Sequence, residues 1–336
     1  LWGLGTLLDR LGDRRAKQDV NEPFARVAHQ IGDPGVLAVA ERTLGLELLR
    51  TTGQLGKAQQ AFERVLRHTA ASNERRQTVW SLAETCAAAR ATLSMTLCLQ
   101  GFAERAREEA RASIAELPSD THELAYCRVL SYGTCRVGLL SRNVADAAPD
   151  IERLIELAAR SNAGIWRIEG QFLKARLMIE RQEFDTSLAI VRDAFAASHR
   201  IGWHAVHTEF QGILAEALAG SGLFEQALDV ANGALASADR GPAWYLAELY
   251  RIKGRVLLRQ VTNQNSAAAA DCFGQAMNIA KLQGSVLFEL RAAADLARLR
   301  LSQDRRGEAK AVLAPVYQRF TEGFDTPDLQ EVKAIL

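Results

Sequence analysis

The apolar positions of this chain fall on helical stripes, and seven of the stripes share one pattern: a small residue followed, four and seven positions later, by residues able to pack. The triplets are Ala58, Phe62, Val65; Ala106, Ala110, Ser113; Ala147, Ile151, Leu154; Ser187, Val191, Ala194; Ala227, Ala231, Ala234; Ala269, Phe273, Ala276; and Ala309, Leu313, Val316. This spacing puts each triplet on one face of a helix. Their first members lie 48, 41, 40, 40, 42 and 40 residues apart. An interval this regular marks a solenoid, because a unit of this size buries its apolar face only by stacking on its neighbours.

The leading residue is Ala in six triplets and Ser in the other, since a large side chain there would hold two helix backbones apart. Five residues before it stand Gly53, Gly101, Gly222 and Asp304, types that tolerate the left-handed conformation ending a helix. Upstream of each turn the pattern predicts a first helix of about five turns, such as Trp203 to Gly220 with Leu214 and Leu218 on one stripe. A weaker eighth pair opens the chain, with Gly12 as its turn and Pro34 starting the next helix. Asn263 to Ser266 reads as a longer polar turn, and Pro315 should kink or stop the last second helix. Thr326 and Pro327 read as N-cap and first position of a closing helix. The expected architecture is therefore all-α: a superhelix of seven to eight antiparallel helix pairs over residues 1–325, and a capping helix over 326–336.

A small residue on the first helix (Gly45, Ala215, Gly254), a turn, and small residues on the second (Ala227, Ala231, Ala234) resemble the tetratricopeptide (TPR) signature. The period exceeds that family's by about six residues, which implies longer helices. A narrower resemblance lies in Glu289-Leu-Arg-Ala-Ala-Ala-Asp-Leu-Ala-Arg-Leu299, Leu313-Ala-Pro-Val-Tyr317, Phe320-Thr-Glu-Gly-Phe-Asp-Thr326, Ala247-Glu-Leu-Tyr-Arg-Ile-Lys-Gly254 and the opening Leu1-Trp-Gly3. These strings resemble the carboxy-terminal TPR region of bacterial predicted ATPase regulators. In that family a cyclase or winged-helix domain and a signalling ATPase module precede the repeats. The resemblance implies a sensor or scaffold in a cytoplasmic signalling or transcription-regulatory protein, with the ATPase domain of the same polypeptide as one partner. The chain opens inside a helical pattern without Met, as a piece of a longer protein would.

Composition sharpens this picture by exclusion. Hydrophobic residues make up 48% and charged residues 24%, ordinary for a folded chain, and 7 Pro leave long helices uninterrupted. A net charge of +1 supplies no field to draw the chain onto nucleic acid or an anionic membrane. The most apolar stretch, Thr92 to Phe102, is far short of a membrane span and is flanked by Arg90 and Glu104. Five cysteines without Cys-x-x-Cys spacing read as buried free thiols of a reducing cytoplasm.

Catalytic and cofactor chemistry finds no support. Gly53-Gln-Leu-Gly-Lys-Ala58 has the wrong spacing for a phosphate-binding loop and lacks the hydroxyl that holds Mg²⁺. His204 and His207 with Glu209 nearby are too few for a zinc site, no Gly-x-Ser-x-Gly elbow occurs, and Glu108 and Glu109 diverge around their helix. No catalytic residue, metal or cofactor is expected. What remains is an interaction module offering its concave groove to a protein, a peptide or a small effector. The alternatives are a helical-repeat nucleic-acid binder, disfavoured by charge, and an enzyme with a site between helices.

If first helices line the concave face, the repeat places Leu46, Met95, Arg136, Arg176, Glu216, Arg255 and Arg298 at one equivalent position. Guanidinium groups in a row could clamp carboxylates of a partner. The competing reading is that Glu169, Glu209 and Glu248 pair with them as surface salt bridges. Trp166, Trp203 and Tyr245, with Tyr126 and Phe288, mark the starts of first helices. They pack neighbouring repeats together or form a partner-binding rim.

Overall fold

A computed structural model describes residues 14–70, 82–203, 207–237, 243–259 and 263–336, together with residues 3, 4 and 8. Among the described residues the secondary structure is helical and no strand occurs. Helix α1 (Arg14–Ile31) precedes seven pairs: α2 (Pro34–Glu47) with α3 (Leu55–Ala70), α4 (Leu82–Leu99) with α5 (Ala103–Ala115), α6 (Glu123–Leu130) and α7 (Arg136–Leu140) with α8 (Val144–Arg160), α9 (Gly164–Glu180) with α10 (Phe184–Arg200), α11 (His207–Gly220) with α12 (Phe224–Ala236), α13 (Leu246–Arg259) with α14 (Asn263–Gln283), and α15 (Val286–Ser302) with α16 (Arg306–Tyr317). Helix α17 (Pro327–Ile335) follows, with Pro327 at its first position after Thr326. The Gly12 turn expected for an eighth pair lies outside the described residues. Pro315 sits inside α16, which ends at Tyr317.

All seven triplets lie on second helices, and every member is buried. The small first-helix positions Gly45, Ser94, Cys135, Ala175, Ala215, Gly254 and Ala297 are buried too, and Gly45, Ala175 and Gly254 directly face Phe62, Ser187 and Phe273 of the triplets. Glycine appears where the facing triplet carries phenylalanine. A Cβ on Gly45 would come within 2.6 Å of the Phe62 ring, and one on Gly254 within 2.6 Å of the Phe273 ring. Packing this tight leaves no room for added methylenes. Ala227→Leu should therefore destabilise the array by about 1–3 kcal/mol through overpacking, read as a lower melting temperature; an unchanged melting curve would mean that α12 does not press its Ala227 face on its neighbours.

The turn between paired helices is left-handed at the expected register in Gly53, Gly101, Gly222 and Asp304, and also in Arg142 (φ 55°) and Gln182 (φ 63°). The sequence pattern misses the last two because their side chains do not advertise this conformation, which costs roughly 1–2 kcal/mol outside glycine. The two helix stripes on either side impose it. The 41-residue interval is absorbed by a π turn, Ser131–Cys135, between α6 and α7, which makes this first helix one residue longer than α9. A second π turn, Leu48–Thr52, continues α2.

The superhelix returns onto itself. Gln283 at the end of α14 packs on the Gly53 turn, and Phe320 after α16 packs on the Gly101 turn. Ser285 Oγ donates to the Leu99 carbonyl at 3.3 Å, and Arg291 Nη2 donates to the Leu140 carbonyl at 2.6 Å. The Glu322 carboxylate accepts from the exposed backbone N–H groups of Glu104 and Arg105 at 2.8 and 3.0 Å, capping α5 from the far end of the chain. Arg107 forks onto Asp325, and Arg142 reaches Glu331 at 2.6 Å. These contacts close the array along one seam.

Candidate functional site

Closure of the superhelix sorts the equivalent positions of the first helices from interior to solvent. Met95 is buried, the Arg136 side chain is 3% exposed and Arg176 15%, while Arg255 and Arg298 are 48% and 45% exposed. One row of the repeat thus begins in the core and ends in an open cleft. The cleft has a volume of about 870 Å³ and lies between α9, α11, α13 and α15 on one side and α17 on the other.

At the closed end Arg136 holds two carboxylates from the next two repeats. Its Nη1 donates to Glu169 at 2.7 Å and to Ser131 Oγ at 2.8 Å, and its Nη2 donates to Glu209 at 3.0 Å. Ser131 Oγ in turn donates to Glu169 at 2.7 Å, and the Tyr132 ring lies under the guanidinium at 5.0 Å. Burial pushes the Glu209 carboxyl above the usual carboxylate range even though Arg136 pulls it down. Arg136 has no free face for a partner, because the interior supplies both of its carboxylates.

Arg176 is similarly committed, to Glu180 at 2.6 Å and to Glu216. Glu216 is shared, with Arg251 at 4.0 Å and Arg255 at 3.6 Å. Arg251 forks onto Glu248 at 2.6 and 2.8 Å and bonds Asp295 at 2.7 Å. Burial raises the Glu248 carboxyl, but Arg251 more than offsets this and holds it at about 2. Glu169, Glu209 and Glu248 do pair with arginines, as buried cross-repeat or same-helix pairs and not as surface salt bridges.

The aromatic residues lie deeper than a rim would. Trp203 and Tyr245 are buried, Trp203 edge-on to Phe210 at 5.7 Å and Tyr245 edge-on to Phe288 at 6.1 Å. Trp166 is half-buried, edge-on to Tyr132 at 6.4 Å. These contacts are those of packing between repeats. Of the residues singled out in the sequence, Arg176, Glu216, Arg255 and Arg298 line the cleft, whereas Arg136, Trp166, Trp203 and Tyr245 do not.

The cleft contains further arginines: Arg142, Arg251, Arg259 and Arg291. Arg251, Arg259 and Arg291 carried a readable signal, standing four positions from Arg255 on either side and seven before Arg298, on the same helical stripes. Asp328 and Glu331 carried none, since α17 reaches the cleft only through the return of the superhelix. Arg291 forks onto Asp328 at 2.7 and 2.9 Å, and Arg298 bonds Asp295 at 2.9 Å and Glu331 at 2.8 Å.

Among the described residues no group of three metal-ligating side chains converges, and no helix is long and apolar enough to cross a membrane. His204 lies outside the described residues. Cys98, Cys127, Cys135 and Cys272 are buried and unbridged, and Cys86 is half-buried.

No family model and no curated protein matches the chain. Solved structures do. A Rap protein complexed with Competence and Sporulation Factor superposes with a TM-score of 0.61 at 9% identity, over 99% of this chain and 94% of that one. Yeast Tom70 superposes at 0.52 and 16% identity, over 89% of this chain and 63% of that one. A signal transduction ATPase with numerous domains (STAND), carrying a tetratricopeptide repeat sensor, from Pyrococcus horikoshii, superposes at 0.51 and 11% identity, over 96% and 49%. The chain spans less than two thirds of Tom70 and about half of the STAND protein. Helical content, pairing and these likenesses define the class: an all-α, TPR-like helical repeat superhelix.

Proposed function

We propose that this chain is a non-catalytic interaction or effector-sensing repeat module that takes a protein segment, a peptide or a small effector along its concave cleft. The observation that carries the reading is the cleft itself, about 870 Å³ of concave space lined by four successive first helices and rich in guanidinium groups. The likeness to a STAND sensor supports placing it in a signalling protein, beside an ATPase module of the same polypeptide; the cytoplasmic and bacterial setting rests on the resemblance of its sequence strings alone. Reading the coding sequence upstream of Leu1 tests that placement directly, and an open frame without an ATPase module would remove it.

Ser302 is exposed and lines the cleft, and among the described residues its hydroxyl bonds only the Leu299 carbonyl of its own helix. Ser302→Trp should fill the cleft without disturbing an ion pair. Ligands selected from a random peptide library against the purified array should lose at least about tenfold in affinity for this variant, a loss of about 1.4 kcal/mol. Ligands that bind the variant and the parent alike would place the binding surface elsewhere.

A further inference from the structure

Five of the seven cleft arginines show how this surface holds an anion. Arg142, Arg176, Arg251, Arg291 and Arg298 each donate to at least one carboxylate that the array itself provides. Two do not. Among the described residues, Arg255 comes no nearer to a carboxylate than 3.6 Å, and that carboxylate, Glu216, is already bonded by Arg176. Among the described residues Arg259 donates only to the Ala219 carbonyl, at 3.2 Å. Both side chains belong to exposed residues of α13, and both line the cleft. The neighbouring Arg251 guanidinium, with burial second, depresses the Arg255 pKa against the upward pull of Glu216, Asp295 and Glu248.

Positions 255 and 259 are one turn apart on the same helix face, so their Cβ atoms stand about 5–6 Å apart. On an extended peptide, alternate side chains point the same way at about 6.6–6.8 Å. Resting on the cleft-binding reading above, we propose that Arg255 and Arg259 form a paired anion site that takes two carboxylates one such spacing apart. The ligand class is an acidic-x-acidic segment of an extended peptide, or a small dicarboxylate of matching length. Each guanidinium would close the charge-assisted pair that its five neighbours already have. The site differs from the other cleft arginines in that occupation displaces no internal carboxylate that is hydrogen-bonded to it.

The test uses the whole chain at low salt with two fluorescent peptides, one centred on Glu-Val-Glu and its twin on Gln-Val-Gln, and with glutarate as the small probe. The parent should bind the Glu peptide at least about tenfold more tightly than the Gln twin. That preference should vanish in the Arg255→Gln/Arg259→Gln double variant and persist in Lys310→Gln, which removes one exposed cation from α16, outside the cleft lining. Competition by glutarate against the Glu peptide would assign both to one site. Glutarate raising the melting temperature of the parent but not of the double variant, with neither peptide bound, would uphold the anion pair with a small effector as ligand and count against peptide capture. Equal affinity of the parent for the two peptides, with no glutarate effect, overturns the pair. Whether the cleft binds peptides at all would then still be decided separately by Ser302→Trp. Equal preference in the parent and the double variant overturns it as well.

Discussion

Replacing Arg136 with Met should destabilise the array by about 3–5 kcal/mol, because it leaves Glu169 and Glu209 buried without their shared cation. The side chain is long enough to fill the space, so the loss reports charge and not a cavity. Adding Glu169→Gln and Glu209→Gln to the variant should recover much of the deficit, since neutral amides no longer need the guanidinium. Urea unfolding followed by helicity measures both steps. A loss below about 1 kcal/mol for the single variant would mean that the triad is solvated and that its arginine is available to a partner after all.

Deleting Asp325 to Leu336 should have an effect of similar or greater size. It uncovers the surface that Leu329 and Val332 bury against α15 and α16, roughly 1.5–3 kcal/mol for each side chain. It also strips Arg291 of the Asp328 fork and breaks the Arg107–Asp325 and Arg142–Glu331 links of the seam. The truncated chain should melt earlier, expand in small-angle scattering as the seam opens, and become less soluble, since terminal repeats need a polar outer surface. A truncated protein with the parent's radius and melting temperature would show that the contacts of Gln283, Ser285, Arg291, Phe320 and Glu322 suffice to hold the seam.

Within the open half of the row the arginines differ in what a substitution would disturb. Reversing Arg176 and Arg255 together looks harmless in the sequence, where both stand on a helix stripe expected to face a groove. In the folded chain Arg176 bridges Glu180 and Glu216, so its reversal would set three carboxylates against one another. Arg255 can be changed without that penalty.

The helices, their pairing and their packing faces were legible in the residues themselves. An i, i+4, i+7 triplet led by Ala or Ser can pack closely only as a helix against a helix, and a forty-residue interval repeats that demand until a superhelix is the shape that meets it. The glycines at 45 and 254 follow from the phenylalanines at 62 and 273. The row through Arg136, Arg176, Glu216, Arg255 and Arg298 was also legible, because it depends on the repeat register alone. Its division into a buried half and an open half was not. That division depends on the return of α14 to α17 onto the turns at Gly53, Gly101 and Arg142, contacts between residues up to more than two hundred positions apart. Curvature accumulates from small rotations at each helix pair, and no local pattern records where the sum closes. That closure sets Arg136 among buried carboxylates and brings Asp328 and Glu331 to the arginines of the cleft, leaving Arg255 and Arg259 without a bonded carboxylate among the described residues.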